Sequence, residues 1–216
     1  MSDSVRIIAL SDVHDEWDKI DIPGTERDVL VLAGDMHDDK PEEVLRMRQI
    51  VRDLPHRVKV YVPGNHDLAG IQRPDLYPMC ETLDDRGIEI DGIRIYGAPW
   101  DWPSRPGWES KIPSGLDVLV THEPPYRIRD WGKGGSKWGT RLGNRDLLTA
   151  VERAKPRLHL FGHAHSGFGQ QKSGETLFVN VAICDENYRA KNRATIIDIS
   201  VTEIVVNQNG EATRYA

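Results

Sequence analysis

Five apolar runs of strand length, each closed by a polar block, constrain this chain more than any other feature. Residues 5–10 run into Ser11-Asp12-Val13-His14, and residues 29–33 run into Gly34-Asp35. Residues 58–62 run into Pro63-Gly64-Asn65-His66-Asp67, and residues 116–120 into Thr121-His122. Residues 158–161 run into Gly162-His163-Ala164-His165. The runs are rich in Val, Ile and Leu, which predicts buried strands. In open α/β sheets, ligands bind beyond the carboxyl ends of the strands. If the five strands are parallel neighbours, their polar blocks converge on one rim.

Helix candidates lie between the runs. Residues 41–54 open with Pro41-Glu42-Glu43 and place Val44, Leu45, Met47, Ile50, Val51 and Leu54 at the spacing of one helix face. Residues 76–86 and 144–154 read similarly, with Asn144 as an N-cap and Pro156 as a stop. Residues 88–95 form a hairpin signature, because alternating apolar residues flank Asp91-Gly92, a pair that tolerates the positive φ of a tight turn. Residues 176–181, 194–199 and 202–206 follow as strand candidates with no helix between them, which reads as a meander. An α/β chain that alternates at first and ends in strands predicts two mixed sheets packed as a sandwich with helices outside, not a simple doubly wound sheet. No Ser/Gly tract, Pro-rich run or like-charge block marks a linker, so one domain over residues 1–216 is expected.

Composition removes several function classes. A net charge of −6 argues against an extended nucleic-acid surface, which needs clustered Lys and Arg. It leaves room for a small phosphorylated substrate held by a metal. The two cysteines, Cys80 and Cys184, show neither disulfide-framework nor zinc-finger spacing and are expected to be reduced. No signal-like start or membrane-length apolar run is present, so the expected location is the cytoplasm, away from membranes. The oligomeric state is left open.

The polar blocks offer Asp12, His14, Asp35, Asn65, His66, Asp67, His122, His163 and His165. Carboxylate, imidazole and amide donors without thiolate suit manganese first, then iron, zinc or magnesium. There are more donors than one ion needs, and two ions about 3.5–4 Å apart would use them. Asp12 with His14, and His163 with His165, are i, i+2 pairs that face one way in extended chain. The glycines before Asp35, Asn65 and His163 are expected to let the backbone turn at the strand ends. Each block alone has a plain reading as a surface turn or a core histidine. Their joint occurrence, each after a strand, is what points to a metal centre.

With Gly34-Asp35-x-x-Asp38 and Gly64-Asn65-His66-Asp67 in that order, the chain resembles the calcineurin-like metallophosphoesterase superfamily. The resemblance spans Asp12 to His165. It implies a four-layer αββα sandwich and a dinuclear centre, with Asp12, His14, Asp35 and His165 on one metal. Asp35, Asn65, His122 and His163 would hold the other, with Asp35 bridging. Residues 95–100, 121–125 and 156–163 further resemble the small class III phosphodiesterases of the metallophosphoesterase-domain-containing, UPF0046-like group. That group cleaves phosphodiesters, including cyclic nucleotides.

The expected mechanism uses a metal-bridging hydroxide as nucleophile, Asn65 on the phosphoryl oxygens and His66 as general acid, with Asp67 orienting or charging the His66 ring. Asp38 is expected to act behind the ligands. His37 is expected to be an exposed turn residue, and His56 and His159 structural or solvated. Five of the six tryptophans, Trp100, Trp102, Trp108, Trp131 and Trp138, fall between the hairpin and the last histidine block. Trp100 could stack a nucleobase there, and Arg141 could meet phosphate, as could Arg127, Arg129, Lys133 or Lys137; loop anchoring is the competing role for the tryptophans. A Ser/Thr protein phosphatase would carry Asp-Arg-Gly and an Arg after Asn-His-Glu, which this chain lacks. A repair nuclease would be longer and capped. A phosphomonoesterase or nucleotide pyrophosphatase differs only in its pocket. A non-catalytic scaffold would have lost ligands, whereas every ligand position and His66 are filled here.

Overall fold

The computed structural model describes residues 4–98, 100, 107–134 and 137–216. In chain order the strands are β1 (Val5–Leu10), β2 (Val29–Leu32), β3 (Val58–Tyr61), β4 (Glu81–Thr82), β5 (Arg86–Ile90), β6 (Ile93–Ala98), β7 (Val118–Thr121), β8 (Trp131–Gly134), β9 (Lys137–Arg141), β10 (Leu158–Phe161), β11 (Gly169–Ser173), β12 (Thr176–Asn180), β13 (Thr195–Ile199), β14 (Ile204–Gln208) and β15 (Glu211–Tyr215). The α-helices are α1 (Pro41–Asp53), α2 (Leu68–Gln72) and α3 (Arg145–Ala154).

The strands form two large mixed sheets. One runs β15-β14-β13-β1-β2-β3-β4 and the other β11-β12-β10-β7-β6-β5, with β8 and β9 as a separate pair. The parallel centre of the first is β1, β2, β3 and β4. The parallel centre of the second is β12, β10, β7 and β6. The five runs are therefore split, three in one sheet and two in the other. The site lies where two rims meet rather than along one.

Alternation of side chains decides the layers. Val5, Ile7 and Ala9 of β1 face the second sheet, packing with Val118, Val120, Leu158 and Leu160 in a dry middle layer. Ile8 and Leu10 point the other way, under Val44, Met47 and Val51 of α1. On the far side Phe161 and Phe178 pack under Leu147, Ala150, Val151 and Ala154 of α3. Those four recur at i, i+3, i+4 and i+7, the apolar stripe of a surface helix. Fully burying one such Leu or Val side chain contributes about 1.5–3 kcal/mol. Three apolar layers between four structural ones make the αββα sandwich.

The local readings fare unevenly. The helix opening at Pro41 and the Asp91-Gly92 hairpin form as expected, with φ of 49° and 80° in the turn. Asn144 caps α3, its side-chain oxygen accepting from Asp146 N at 2.8 Å and Leu147 N at 3.0 Å. The helix expected over 76–86 is absent. Residues 74–76 make a single 3-10 turn, and the short β4 and the start of β5 follow with turns between them. Pro78 removes a donor there and disfavours helical backbone at Tyr77, and Tyr77 is instead fully buried against the first sheet. The late strands are not one meander. β11 and β12 close the second sheet, while β13 to β15 extend the first. Between β12 and β13 the chain crosses sheets, as Ala182 pairs in parallel with Ser11. Among the described residues no helix is long and apolar enough to cross a membrane.

Asn144→Ala is expected to cost about 1 kcal/mol in urea unfolding, because two amides of the first turn of α3 lose their acceptor. Metal uptake should be unchanged. An unaltered unfolding midpoint would show that the cap contributes nothing.

Candidate metal centre

The loops after β1, β2, β3, β7 and β10 bring the expected residues together. His14 Nε2 and His165 Nε2 lie 3.3 Å apart. His165 Nε2 is 3.2 Å from Asp12 Oδ1, and His14 Nε2 is 3.9 Å from Asp35 Oδ2. Beside this group, His122 Nε2 is 3.1 Å from Asp35 Oδ2 and 3.1 Å from Asn65 Oδ1. Two sets of ligand atoms result, Asp12-His14-His165 and Asp35-His122-His163, each within 4.8 Å of one another. Asp35 neighbours both, because its Oδ2 approaches His14 and His122.

The backbone is bent hard to do this. Asp12, His14, Asp35 and His163 have φ of 53°, 45°, 57° and 64°, the left-handed region that is uncommon for non-glycine residues. Of the three glycines expected to supply the turns, Gly34 does so, with φ of 91°. Gly64 and Gly162 serve close approach instead. A Cβ at 162 would collide with Ser11 Oγ and the Asp12 carboxylate, and one at 64 with the Asp35 carboxylate. The strand-end residues themselves take the left-handed turn, so that their side chains double back over the rim.

Outer partners decide which imidazole nitrogen faces inward. His122 Nδ1 donates to Ala33 O at 2.9 Å and His165 Nδ1 to Asp185 O at 2.8 Å. His14 Nδ1 donates to Asp38 Oδ1 at 3.2 Å. Each ring then turns Nε2 toward the carboxylates, the usual support for a metal-bound histidine. The inward Nε2 lone pairs of His14 and His165 face each other, and that of His122 faces two oxygens. Such an arrangement of donors is repulsive unless a cation or protons lie among them, so the residues fit a divalent metal pair.

In the chain alone the compensation comes from protons. Burial alone would lower the His122 pKa, but Asp35 overrides it and holds the ring up to about 10. Asp12 does the same for His165, raised to about 9 against burial. Burial, which would push both carboxyls up, is outweighed by His165 at Asp12 and by His122 at Asp35, and both end below the usual carboxylate range. His163 has no such partner, and burial with the nearby His122 pushes it down to about 4.

A cavity of about 390 Å³ opens over this group, lined by ligand residues together with His66, Lys133, Leu142, Glu186 and Tyr188. His66 stands at its edge with Nδ1 3.0 Å from Asp38 Oδ1. Asp67 does not orient His66 as expected, because its carboxylate turns inward. The fully buried Asp67 carboxylate accepts from the amides of Asp35 at 2.6 Å, Met36 at 2.9 Å, Gly64 at 3.0 Å and His37 at 3.3 Å. It ties the β2 loop to the β3 loop, and the carboxylate next to the His66 ring is that of Asp38. His37 is fully buried rather than exposed, its Nε2 donating to Tyr77 Oη at 2.7 Å and its Nδ1 accepting from Asp39 N at 3.0 Å. His56 and His159 are buried and structural, as expected.

Of the residues expected to meet substrate, Lys133 lines the cavity, whereas Trp100 and Arg141 do not. Trp100 packs on the ligands, with ring centroids 4.7 Å from His163 and 6.0 Å from His122. Arg141 is drawn to the buried Asp130 at 2.5 Å and covers the Trp131 ring at 4.2 Å. Arg129 donates its guanidinium to the carbonyls of Gly167 and Phe168, bracing the histidine loop. Trp102 lies outside the described residues, as do the side chains of Trp108, Lys137 and Trp138. Glu186 and Tyr188 escaped the sequence reading. Their signal is a sixth strand-like run, residues 176–184, closed by Asp185-Glu186 in the manner of the other five.

A two-sheet sandwich with His and Asp clusters at the joined carboxyl ends defines a metallophosphoesterase architecture. The profile of the calcineurin-like phosphoesterase family matches residues 5–167, and the chain belongs to that family. It is 33% identical to metallophosphoesterase domain-containing protein 1 of Homo sapiens, over 90% of this chain and 71% of that protein. A UPF0046 protein of Caenorhabditis elegans is 33% identical over 90% of this chain and 81% of its own length. Among solved structures, phosphopantetheinyl hydrolase from Mycobacterium tuberculosis shares the fold with a TM-score of 0.63 at 14% identity, over 87% of this chain and 92% of that one.

Two predictions follow from the geometry. Asp67→Ala is expected to destabilise chelator-stripped protein by at least about 3 kcal/mol, because four amides lose one buried acceptor. His66→Ala should stay within about 0.5 kcal/mol, being a rim residue. Equal unfolding midpoints for the two would refute this division of roles. Separately, metal ligation requires neutral His122 and His165, which the stripped chain holds protonated at pH 7. Loading should therefore release protons and tighten as pH rises from 6 toward 9. Calorimetry in buffers of different ionisation enthalpy measures the release, and a value of zero would contradict the raised pKa values.

Proposed function

We propose that this chain is a dinuclear-metal phosphodiesterase acting on small nucleotide-like diesters, cyclic nucleotides among the candidates. Asp12, His14, Asp35 and His165 would hold one divalent ion, and Asp35, Asn65, His122 and His163 the other, with manganese the first choice for this donor set. Such ions supply Lewis acidity and lower the pKa of water to about 7. The protein's own groups do the rest. Asn65 offers an amide N–H to a phosphoryl oxygen. His66, with Nδ1 next to Asp38, leaves Nε2 to deliver a proton to the departing oxygen. Asp67 holds the two ligand loops at one spacing and touches no substrate.

The observation that favours a diester is the charge around the cavity. A phosphomonoester brings nearly two negative charges at pH 7 and a diester one. Of the cations expected to meet phosphate, Arg129 and Arg141 are committed to backbone carbonyls and to Asp130. Among the described lining residues, Lys133 is one cation besides the histidines, and Glu186 lies in the same wall. That wall suits a monoanion. The two thiols are free, which agrees with a reducing, cytoplasmic setting.

With chelator-stripped protein, added manganese is expected to restore hydrolysis of bis-p-nitrophenyl phosphate in preference to p-nitrophenyl phosphate. Preference for the monoester would overturn the diesterase reading in favour of a phosphatase. His66→Ala should lower kcat by about 10²–10⁴ on a diester with an unactivated alcohol, and least on a nitrophenyl ester, whose leaving group needs no proton. Full activity of the variant on the unactivated ester would remove His66 from the mechanism.

A further inference from the structure

We infer that Tyr188 is the specificity wall of the site, a platform on which a planar nucleobase stacks while its phosphate lies at the metal centre. This rests on the reading of the cavity as a phosphoester site and adds what selects the substrate. Tyr188 and Leu142 are the apolar side chains among the described residues lining the cavity. The tyrosine stands over three histidines, its ring centroid 4.6 Å from His14, 5.4 Å from His165 and 6.3 Å from His66. Its contact with His14 is edge to face, at 85° between planes. The side chain reaches from the metal ligands to the candidate acid and is still 51% exposed. A large aromatic ring half in water at the mouth of a polar cavity is a surface ready to be covered.

Its position is held rather than incidental. Tyr188 has φ of 57°, an uncommon conformation for a bulky residue. A tight turn imposes it. Tyr188 N donates to Asp185 O at 2.9 Å, and Asp185 N donates to Arg189 O at 2.9 Å. The Asp185 carboxylate accepts from Asn187 N at 2.8 Å and Arg189 N at 3.3 Å. The Asp185 carbonyl is also the acceptor for His165 Nδ1, so one turn orients a metal ligand and presents the ring. Glu186 anchors the turn on both sides, accepting from Ser166 N at 2.9 Å, Ser166 Oγ at 2.7 Å and Lys133 N at 3.2 Å. The ring is thereby fixed before substrate arrives, which lowers the entropy cost of stacking. Every nucleobase has a π-face, so such a wall selects for a base without reading which one.

The test compares adenosine 5′-monophosphate with ribose 5-phosphate, which differ only in the base, by calorimetric titration of manganese-loaded protein. Wild type should bind the nucleotide about tenfold more tightly than the sugar phosphate. Tyr188→Ala should abolish that difference by weakening the nucleotide alone, and Tyr188→Phe should preserve it, because the ring and not the hydroxyl stacks. Equal weakening of both ligands by Tyr188→Ala would overturn the inference and leave the ring as a brace for His14 and His165. The same affinity of wild type for both ligands would overturn it as well. Because the readout is binding, the phosphodiesterase reading fails independently, through the absence of diester hydrolysis in wild type.

Discussion

Two carboxylates, Asp12 and Asp35, are buried where the ends of the two sheets meet, and their charge governs what surrounds them. An uncompensated carboxylate in such a place costs several kcal/mol. Compensation here comes from across the sandwich. Asp12 and Asp35 belong to the first sheet, while the imidazoles of His165 and His122 that face them follow strands of the second. Neither half of the site is complete in one sheet. The dry middle layer that joins the sheets is therefore also what assembles the chemistry, with the chain bridging at Ser11 and Ala182 directly beneath it.

The supports divide by what they hold. Asp67 acts on backbone, gathering amides from two loops so that Asp35 and Asn65 arrive together. Asp38 acts on rings, its Oδ1 touching Nδ1 of both His14 and His66. The carbonyls of Ala33 and Asp185 act on ring nitrogens and leave Nε2 of His122 and His165 for the interior. Positive φ at four ligand positions stores strain of about 1–3 kcal/mol per residue. That strain persists because these hydrogen bonds over-determine the loops. Rigid ligands at the base and a half-exposed tyrosine at the rim separate binding of the phosphoryl group from recognition of what it carries.

Much of the site was legible in the chain because its signals are local. A strand of Val, Ile and Leu is recognisable from its own residues, and the polar block that follows it lies at a strand end by adjacency alone. The pairs Asp12 with His14 and His163 with His165 needed only spacing. Failures gather where a side chain has more than one direction to point. Asp67 follows His66 in sequence yet turns inward to the β2 loop, while Asp38, nearly thirty residues earlier, takes the place expected of it. His37 has the composition of an exposed turn and is buried on Tyr77. Arg141 and Trp100 have the right chemistry for a substrate and are used for packing. Residues 76–86 carry a helical pattern that Pro78 and the burial of Tyr77 override.

The strands, the order of the polar blocks, the donor set and the presence of an acid candidate could be read from the chain, since each rests on neighbours within a few residues. That the blocks come from two sheets rather than one rim, and which nitrogen of each histidine faces inward, was settled by packing. It also decided that Tyr188, not Trp100, borders the cavity. These depend on contacts between residues far apart in the chain, set by how two twisted sheets pack and by where buried donors and acceptors find partners. Chain spacing carries no record of that pairing until the core has formed.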